Sequence, residues 1–315
     1  MILIISFLDN AHVERVTRHL TRDYEIVDLS WFPKDMRMHA MISPEVDAMA
    51  LDLPHGRRLD LDEVGAVWHR RIRPFELDPA LTEETARSFA WSEAAESLPG
   101  LWYGMDCFWM NPPDTDERAM KKVYQHRLAA QLGLRVPETL VTNDPETARA
   151  FVEPRMASGV IRKAFRNHPS APRQTLKVGP AELELIDTVR FTPVIFQEYI
   201  PVALDLRVTV VDGEIFTASF RSDPQYDVDY RAGIGTAEVA PYQLPDDITD
   251  KLREFMKRLG LAFGAVDFRV TPEGEHVFFE VNPAGEYLFV SDRIDLPIPQ
   301  AIAATLERHD AAHSR

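Results

Sequence analysis

A chain of 315 residues can bury more than one core, and 45% hydrophobic with 27% charged residues is the composition of a folded globular protein. A net charge of −15 argues against nucleic-acid binding through the surface as a whole, and no apolar run is long enough to cross a bilayer. The lone Cys107 excludes an internal disulfide framework and fits a reducing cytoplasm.

Charge is unevenly spread: residues 1–116 and 194–315 each carry 11 basic and 21 acidic side chains, whereas residues 117–193 carry 13 and 8. A basic segment between two acidic ones supplies the local field an anionic ligand needs, although ordinary surface drift also produces such an imbalance.

Taken in order, Met1-Ile-Leu-Ile-Ile-Ser-Phe-Leu8 lacks a basic leader and runs straight into Asp9 and Asn10, so it reads as a first buried strand and not a signal peptide. His12, Val13, Val16 and Leu20 are spaced for a helix over 11–20, and strands are expected at 24–29, 48–53 and 65–69. A helix follows near 82–98, with Thr82 as its cap and Glu83 and Glu84 in the first turn. This alternation predicts an α/β domain with a partly parallel sheet. Neither a dinucleotide fingerprint nor a P-loop is present, so a Rossmann cofactor has no support. Trp68-His-Arg-Arg-Ile-Arg73 is the oddity, a basic strand end that could meet a substrate carboxylate or pair with the many nearby acids.

The paired prolines of Trp109-Met-Asn-Pro-Pro-Asp-Thr115 mark a boundary, and Asp114 or Thr115 can start a helix. Val123, Leu128, Ala129 and Leu132 form the apolar stripe of a helix ending at Gly133, with Lys121 and Lys122 in its first turns. A strand at 136–142, a helix with Pro145 at its first position and a strand at 159–165 follow. In that last strand Arg162 and Lys163 fall on opposite faces, and a lysine there is an edge residue or a ligand contact. Residues 166–173, with Asn167, His168, Pro169 and Pro172, read as a flexible basic loop before a strand at 174–178, and Gly179-Pro180 starts another helix. The result is a small α+β unit over 117–193.

The strand Thr192–Pro201 ends in a polar-aromatic hinge, and 204–211 with 214–221 form a hairpin about Asp212-Gly213. Residues 222–245 are long for a bare connection, which favours a functional loop or lid. A helix over 246–259, with Leu252, Phe255 and Leu259 as its core face, leads to the hairpin Ala265–Val270 and His276–Asn282, turning through Pro272 and Gly274. Its alternation puts Glu280 and Asn282 on one face with Asp267 approaching them. Hard oxygens without thiolates or a histidine cluster suit Mg²⁺, although a solvated polar face fits the same pattern. A helix over 298–308 closes the chain.

An early helical lysine, a strand lysine, Gln197-Glu-Tyr-Ile200, Asp205-Leu-Arg207 and Asp267 ahead of Phe279-Glu-Val-Asn-Pro283 come in an order that resembles the ATP-grasp superfamily and, within it, the RimK-like carboxylate–amine ligases. More narrowly, Trp109-Met-Asn-Pro-Pro113, the stretch 132–144 and Phe278-Phe-Glu-Val-Asn-Pro-Ala-Gly285 resemble the ATP-grasp peptide maturases of the graspetide, microviridin-type group. The match covers 105–300 well and the N-terminal domain only in general layout.

The resemblance implies an α/β and α+β chain: an N-terminal pre-ATP-grasp domain over 1–116, a central ATP-grasp subdomain over 117–193 and a C-terminal one over 194–315. ATP would lie between the two subdomains, its phosphates on Lys122 and Lys163, with Lys121 a one-residue rival of Lys122. Gln197 and the backbone of Glu198, Tyr199 and Ile200 would meet adenine, Asp205 the ribose and Arg221 the triphosphate, while Asp267, Glu280 and Asn282 would take Mg²⁺. Arg231 and Arg269 are candidates for holding a substrate carboxylate or acyl phosphate, and surface ion pairs are the rival role for each. One departure stands out: the RimK group has a glycine-rich phosphate loop after its strand lysine, whereas residues 165–173 here contain no glycine.

The activity so implied is an ATP-dependent ligase that macrocyclises a ribosomal precursor peptide, leader plus acidic core, through ester or amide bonds between Asp/Glu and Ser/Thr/Lys side chains. A carboxylate is a poor electrophile; ATP converts it to an acyl phosphate, which needs charge neutralisation and alignment more than an enzyme nucleophile. The absence of a nucleophile elbow or catalytic cysteine motif agrees with this. A leader site on or near 165–178, a homodimer and a cytoplasmic location complete the expectation, with no nucleic-acid or membrane partner. The alternatives are a RimK-like ligase adding free amino acids to a peptide or small molecule, and a non-catalytic ATP-binding regulator.

Overall fold

The first apolar run, Ile2–Ile5 (β1), is buried on both faces, as a central parallel strand must be. Residues 1–165 and 175–313 are described in the computed structural model; the expected basic loop at 166–173 and the start of the strand at 174 lie outside them. From β1 the chain passes through α1 (Ala11–Thr17), capped by the Asn10 side chain, to β2 (Tyr24–Val27). A three-stranded antiparallel sheet follows, of β3 (Arg37–Ile42), β4 (Asp47–Asp52) and β5 (Arg58–Asp60). Then come β6 (Ala66–His69), α2 (Glu84–Gly104) and β7 (Phe108–Met110). Glu83, not Thr82, caps α2, accepting from the Thr85 and Ala86 amides, and the helix runs on past Pro99. The main sheet, β2-β1-β6-β7, is parallel throughout, and its order reverses between β1 and β6.

Asn111 fastens this unit to the rest. Its Nδ2 donates to Asp116 and to the Phe263 carbonyl, and its Oδ1 accepts from the Ala262 and Phe263 amides at 2.8 and 2.9 Å. Next are α3 (Pro113–Ala119) and α4 (Lys122–Gln131), then β8 (Thr139–Thr142), α5 (Pro145–Val152), β9 (Val160–Lys163), β10 (Leu176–Lys177), α6 (Pro180–Glu184) and β11 (Val194–Glu198). The central sheet is antiparallel, in the order β10-β9-β11-β8. The expected border at 193/194 therefore cuts through it, because β11 bonds to both β8 and β9. At the other end, Ala119, Leu128 and Ala129 of α3 and α4 join the core of the C-terminal sheet.

That sheet, β14-β13-β12-β15-β16, is built from β12 (Leu204–Val211), β13 (Glu214–Arg221), β14 (Glu238–Pro241), β15 (Phe263–Val270) and β16 (His276–Asn282). Asp212 and Gly213 adopt φ of +46° and +85°, the left-handed pair a two-residue hairpin requires. One face of the sheet is covered by α7 (Asp246–Leu259), whose Leu252, Phe255 and Met256 meet Leu206, Val208, Val266 and Phe268. After α8 (Leu288–Ile294), α9 (Ile298–His313) returns to pack on α1, β1, β6 and β7. Among the described residues no helix is long and apolar enough to cross a membrane.

Candidate active site

The other face of the C-terminal sheet is charged, and register explains why. Directly opposed residues of antiparallel strands share a face. Asp205 opposes Arg269, Arg207 opposes Asp267 and Asp267 opposes Glu280, so all five project away from α7. A β-bulge is essential to this. Pairing shifts from Asp267↔Glu280 to Phe268↔Phe278, leaving Phe279 as the extra residue. Phe278 and Val281 can then both enter the core while Phe279 and Glu280 both line the cavity.

Helix α4 covers the outer edge of β16. Gln125 accepts from the Val281 amide and donates to the Val281 carbonyl, both at 2.9 Å, while His126 Nε2 donates to the Phe279 carbonyl at 2.7 Å. Burial pulls the His126 imidazole down to about 4, so it stays neutral. Lys122 lies one turn earlier on the same helix face and ion-pairs with Glu280. Lys163 enters from β9, alternating with Val160 and Arg162 so that Ile161 and Lys163 line the cavity.

The cavity between the central and C-terminal sheets has a volume of about 440 Å³. Burial pulls the Lys163 ammonium down to about 8, against the attraction of Glu280. Burial alone would raise the Glu280 carboxyl, but Lys122, Lys163 and Arg231 together bring it down to about 2. Asp267 accepts from Arg207 at 2.9 Å and from the buried Tyr230 hydroxyl at 3.2 Å, both on Oδ1. The arrangement is an anionic pair backed by cations, able to gather a polyphosphate and a hard divalent ion.

Residues 1–117 match the family model described as the MvdD pre-ATP grasp domain. The macrocyclase MdnC from Microcystis aeruginosa MRC, solved with its precursor peptide MdnA, is 31% identical, with a TM-score of 0.86 over 98% of this chain and 99% of that one. This chain belongs to the ATP-grasp ligases that mature ribosomal peptides. The fold is also shared by a ribosomal-peptide-associated ATP-grasp ligase from Chryseobacterium gregarium, solved with ADP and with leader and core peptides, at 24% identity and a TM-score of 0.89 over 98% of this chain and 96% of that one. A stretch of 190 residues, 54% of this chain, is 25% identical to the carbamoyl phosphate synthase large chain of Pseudomonas aeruginosa, of whose length it spans 17%.

Within this ATP-grasp ligase, the expected site residues fall into three groups. Lys122, Lys163, Ile200, Arg231, Asp267 and Glu280 line one cavity. Lys121 turns outward to Glu117 at 3.0 Å, which leaves Lys122 as the cavity lysine. Arg231 is held by Asp229 at 2.7 Å and stands 3.9 Å from Glu280.

A second group lines the cavity but is already engaged. Arg269 makes a buried bidentate pair with Asp205 at 2.8 and 3.2 Å and donates to the Ile200 carbonyl, so neither Asp205 nor Arg269 is the free ligand group expected. The Glu198 and Tyr199 amides donate to the Glu138 and Gly159 carbonyls, so only the remainder of that hinge backbone faces a ligand. Gln197 donates to Thr139 at 2.8 Å.

Two residues stand apart. Asn282 is exposed, caps its own turn by accepting from the Ala284 amide at 3.0 Å, and lines a neighbouring cavity with Glu280. Arg221 corrects the expectation outright: Phe220 opposes Asp205, so its neighbour Arg221 projects from the opposite face and is exposed.

Sequence reasoning missed Arg207, Tyr230, Asp229 and Phe279. Arg207 carried a signal, two residues from Asp205 on one strand. Tyr230 and Asp229 lie in a stretch without periodicity, and Phe279 alternates with the core residue Phe278, so that it is the bulge that brings Glu280 onto the cavity face beside it.

Proposed function

We propose that this ligase closes rings in a ribosomal precursor peptide, joining Asp/Glu side chains to Ser/Thr or Lys side chains by ester or amide bonds through an acyl phosphate. The observation that carries the reading is the convergence of Lys122 and Lys163 on the Asp267–Glu280 pair in one cavity between two sheets. The cavity suits a nucleotide, with Ile161, Phe279 and Ile200 as apolar wall and the lysines and Arg231 toward the phosphates.

Mg²⁺ fits the donor set. No group of three or more His, Cys, Asp or Glu stands together among the described residues, but Mg²⁺ takes one or two carboxylates and completes its shell from phosphates and water. Asp267 and Glu280 would hold it, and when bound it would neutralise charge on the phosphate oxygens. Lys122 and Lys163 would gather the phosphates, Arg207 and Tyr230 fix the Asp267 carboxylate, and Arg231, 3.9 Å from Glu280, would meet the transferred group. Water must be kept from the activated carboxylate, and the Tyr230–Arg231 segment at the cavity wall serves that end.

An acidic core suits the basic middle of the chain, and the precursor's leader, a homodimer and a cytoplasmic location belong to the same reading. The expected leader site near 165–178 falls largely outside the described residues. Incubation with ATP, Mg²⁺ and a cognate precursor should remove one water mass per ring with matching ADP release. Mass gain by an added amino acid would favour the free-amino-acid ligase, and ADP release without any mass change would sink the macrocyclase.

A further inference from the structure

The basic strand end at Trp68–Arg73 takes no part in the nucleotide cavity. It stands where the order of the parallel sheet reverses, between the C-terminal ends of β1 and β6, the crevice in which open parallel sheets bind their ligands. Arg70 is 1% exposed, yet only Nη2 finds an oxygen, the Gly285 carbonyl at 3.0 Å. Its Nε and Nη1 have no hydrogen-bond partner, and the rings of Phe263 and Tyr287 lie 5.7 and 5.6 Å from the guanidinium carbon. Leaving buried guanidinium hydrogens unpaired is costly, so a charge held this way calls for a reason.

Around Arg70 the crevice already grips one carboxylate. His12 is buried, with Nδ1 unpartnered and Nε2 against one oxygen of Glu286. Arg71 reaches the other oxygen at 2.6 Å from a backbone with φ of +49°, a left-handed conformation uncommon outside glycine. Burial and the charge of Arg70 bring His12 down to about 4, so near neutrality the cluster holds two cations and a single anion. Glu286 is the removable member, with its side chain 42% exposed. The crevice also adjoins the reacting end: Arg207 donates through Nη2 to the Glu286 carbonyl and through Nη1 to Asp267, both at 2.9 Å.

We propose that this crevice seats an acidic side chain of the substrate peptide, with Arg71 and His12 gripping its carboxylate, Arg70 as the charge behind them, and Glu286 as the internal carboxylate it displaces. The inference rests on the ligase reading above. A carboxylate is specified because the site's two contacts are satisfied by one now, an oxygen apiece. The peptide is preferred to a free acid because one carboxylate against one exposed arginine binds weakly unless the rest of a chain adds contacts.

The test is fluorescence anisotropy with a labelled decapeptide of alternating Thr and Glu, its Thr/Gln counterpart, and free glutamate as competitor, on the full chain with ATP affinity measured in parallel. Wild type should prefer the acidic peptide by about tenfold or more, and Arg71→Ala should abolish that preference. Glu286→Gln, which removes the competing charge from a half-exposed position, should raise affinity for the acidic peptide about tenfold, so the proposal stays testable should Arg71→Ala fail to fold. Equal binding of the two peptides by wild type, a preference that survives Arg71→Ala, or weaker acidic-peptide binding by Glu286→Gln overturns the crevice. Free glutamate competing at the peptide's own concentration overturns the peptide in favour of a small acid. Loss of nucleotide binding in wild type would overturn the ligase reading instead, while the peptide arms still decide the crevice.

Discussion

At the floor of the cavity Lys122 and Lys163 face Asp267 and Glu280, but the two lysines do not stand alike. Lys122 touches Glu280 directly, whereas Lys163 has only longer-range attraction to offset its burial, which is why it sits at about 8 and not near its ordinary 10.5. The sign of the consequence is fixed. Below about pH 8 the ammonium is charged in both folded and unfolded chains and its burial cost is fully present; between about 8 and 10.5 the folded lysine loses its proton first, so this residue's contribution to stability rises with pH. A triphosphate needs the charged form. Nucleotide binding near pH 8.5 should therefore take up a proton and weaken as pH rises further, by roughly tenfold per unit once Lys163 is largely neutral. Calorimetry in buffers of different ionisation enthalpy reads the proton directly, and binding with no proton uptake would count against Lys163 as a phosphate ligand. Glu280→Gln leaves Lys122 and Lys163 facing one another without their shared anion and removes a carboxylate that, in the proposed reading, would hold Mg²⁺, so ADP release should fall about 100-fold or more while the fold survives. Full activity with an unchanged Mg²⁺ requirement would refute its role.

At the scale of elements, the hairpin of β15 and β16 shows what was legible and what was not. The runs at 265–270 and 276–282, the Asp212-Gly213 turn and the helix at 246–259 could be read because period and turn chemistry are local. The bulge at Phe279 could not, since it depends on which partner residues Phe278 and Val281 meet across the core. Strict alternation would have put Glu280 beside Phe278, facing α7. Arg221 failed for a related reason: a residue's face is fixed by register with its neighbour, and that register was not available from the strand alone. Asp205 and Arg269 were both recognised as special, but as ligand groups; that they oppose each other on β12 and β15, and so pair, follows only from the order of strands. Burial pushes the Asp205 carboxyl up and Arg269 pulls part of that back, as expected of a pair wholly inside the protein. Removing one partner strands a charge, so Asp205→Ala should cost about 3–5 kcal/mol in urea unfolding, while Asp205→Leu with Arg269→Met together should cost much less. If Asp205→Ala leaves stability intact and instead weakens only nucleotide binding, the carboxylate serves the ribose after all.

Across the whole molecule, the N-terminal unit is joined firmly to the C-terminal sheet, by Asn111 to Ala262 and Phe263, by Arg70 to Gly285 and by α9 lying back on the parallel sheet. The central sheet is tied more lightly across the cavity mouth. There Asp227, from the irregular stretch after β13, accepts from Lys177 at 2.7 Å and from the Tyr199 hydroxyl at 2.6 Å, and the Lys177 ammonium lies 3.8 Å from the Tyr199 ring centroid. Lys177 and Tyr199 belong to the central sheet and its end, Asp227 to the segment carrying Asp229, Tyr230 and Arg231, so this contact closes one wall of the cavity onto the other. It is partly exposed, which limits its worth to about 1 kcal/mol, too little to decide folding but enough to change a rate about fivefold. Asp227→Ala should therefore speed release of a fluorescent ATP analogue by about fivefold in stopped-flow, with a melting temperature within a few degrees of wild type. Unchanged release, or a loss of stability large enough to unfold the chain, would show that the contact is structural and that the segment over the cavity is held by its other contacts, Tyr230 to Asp267 among them.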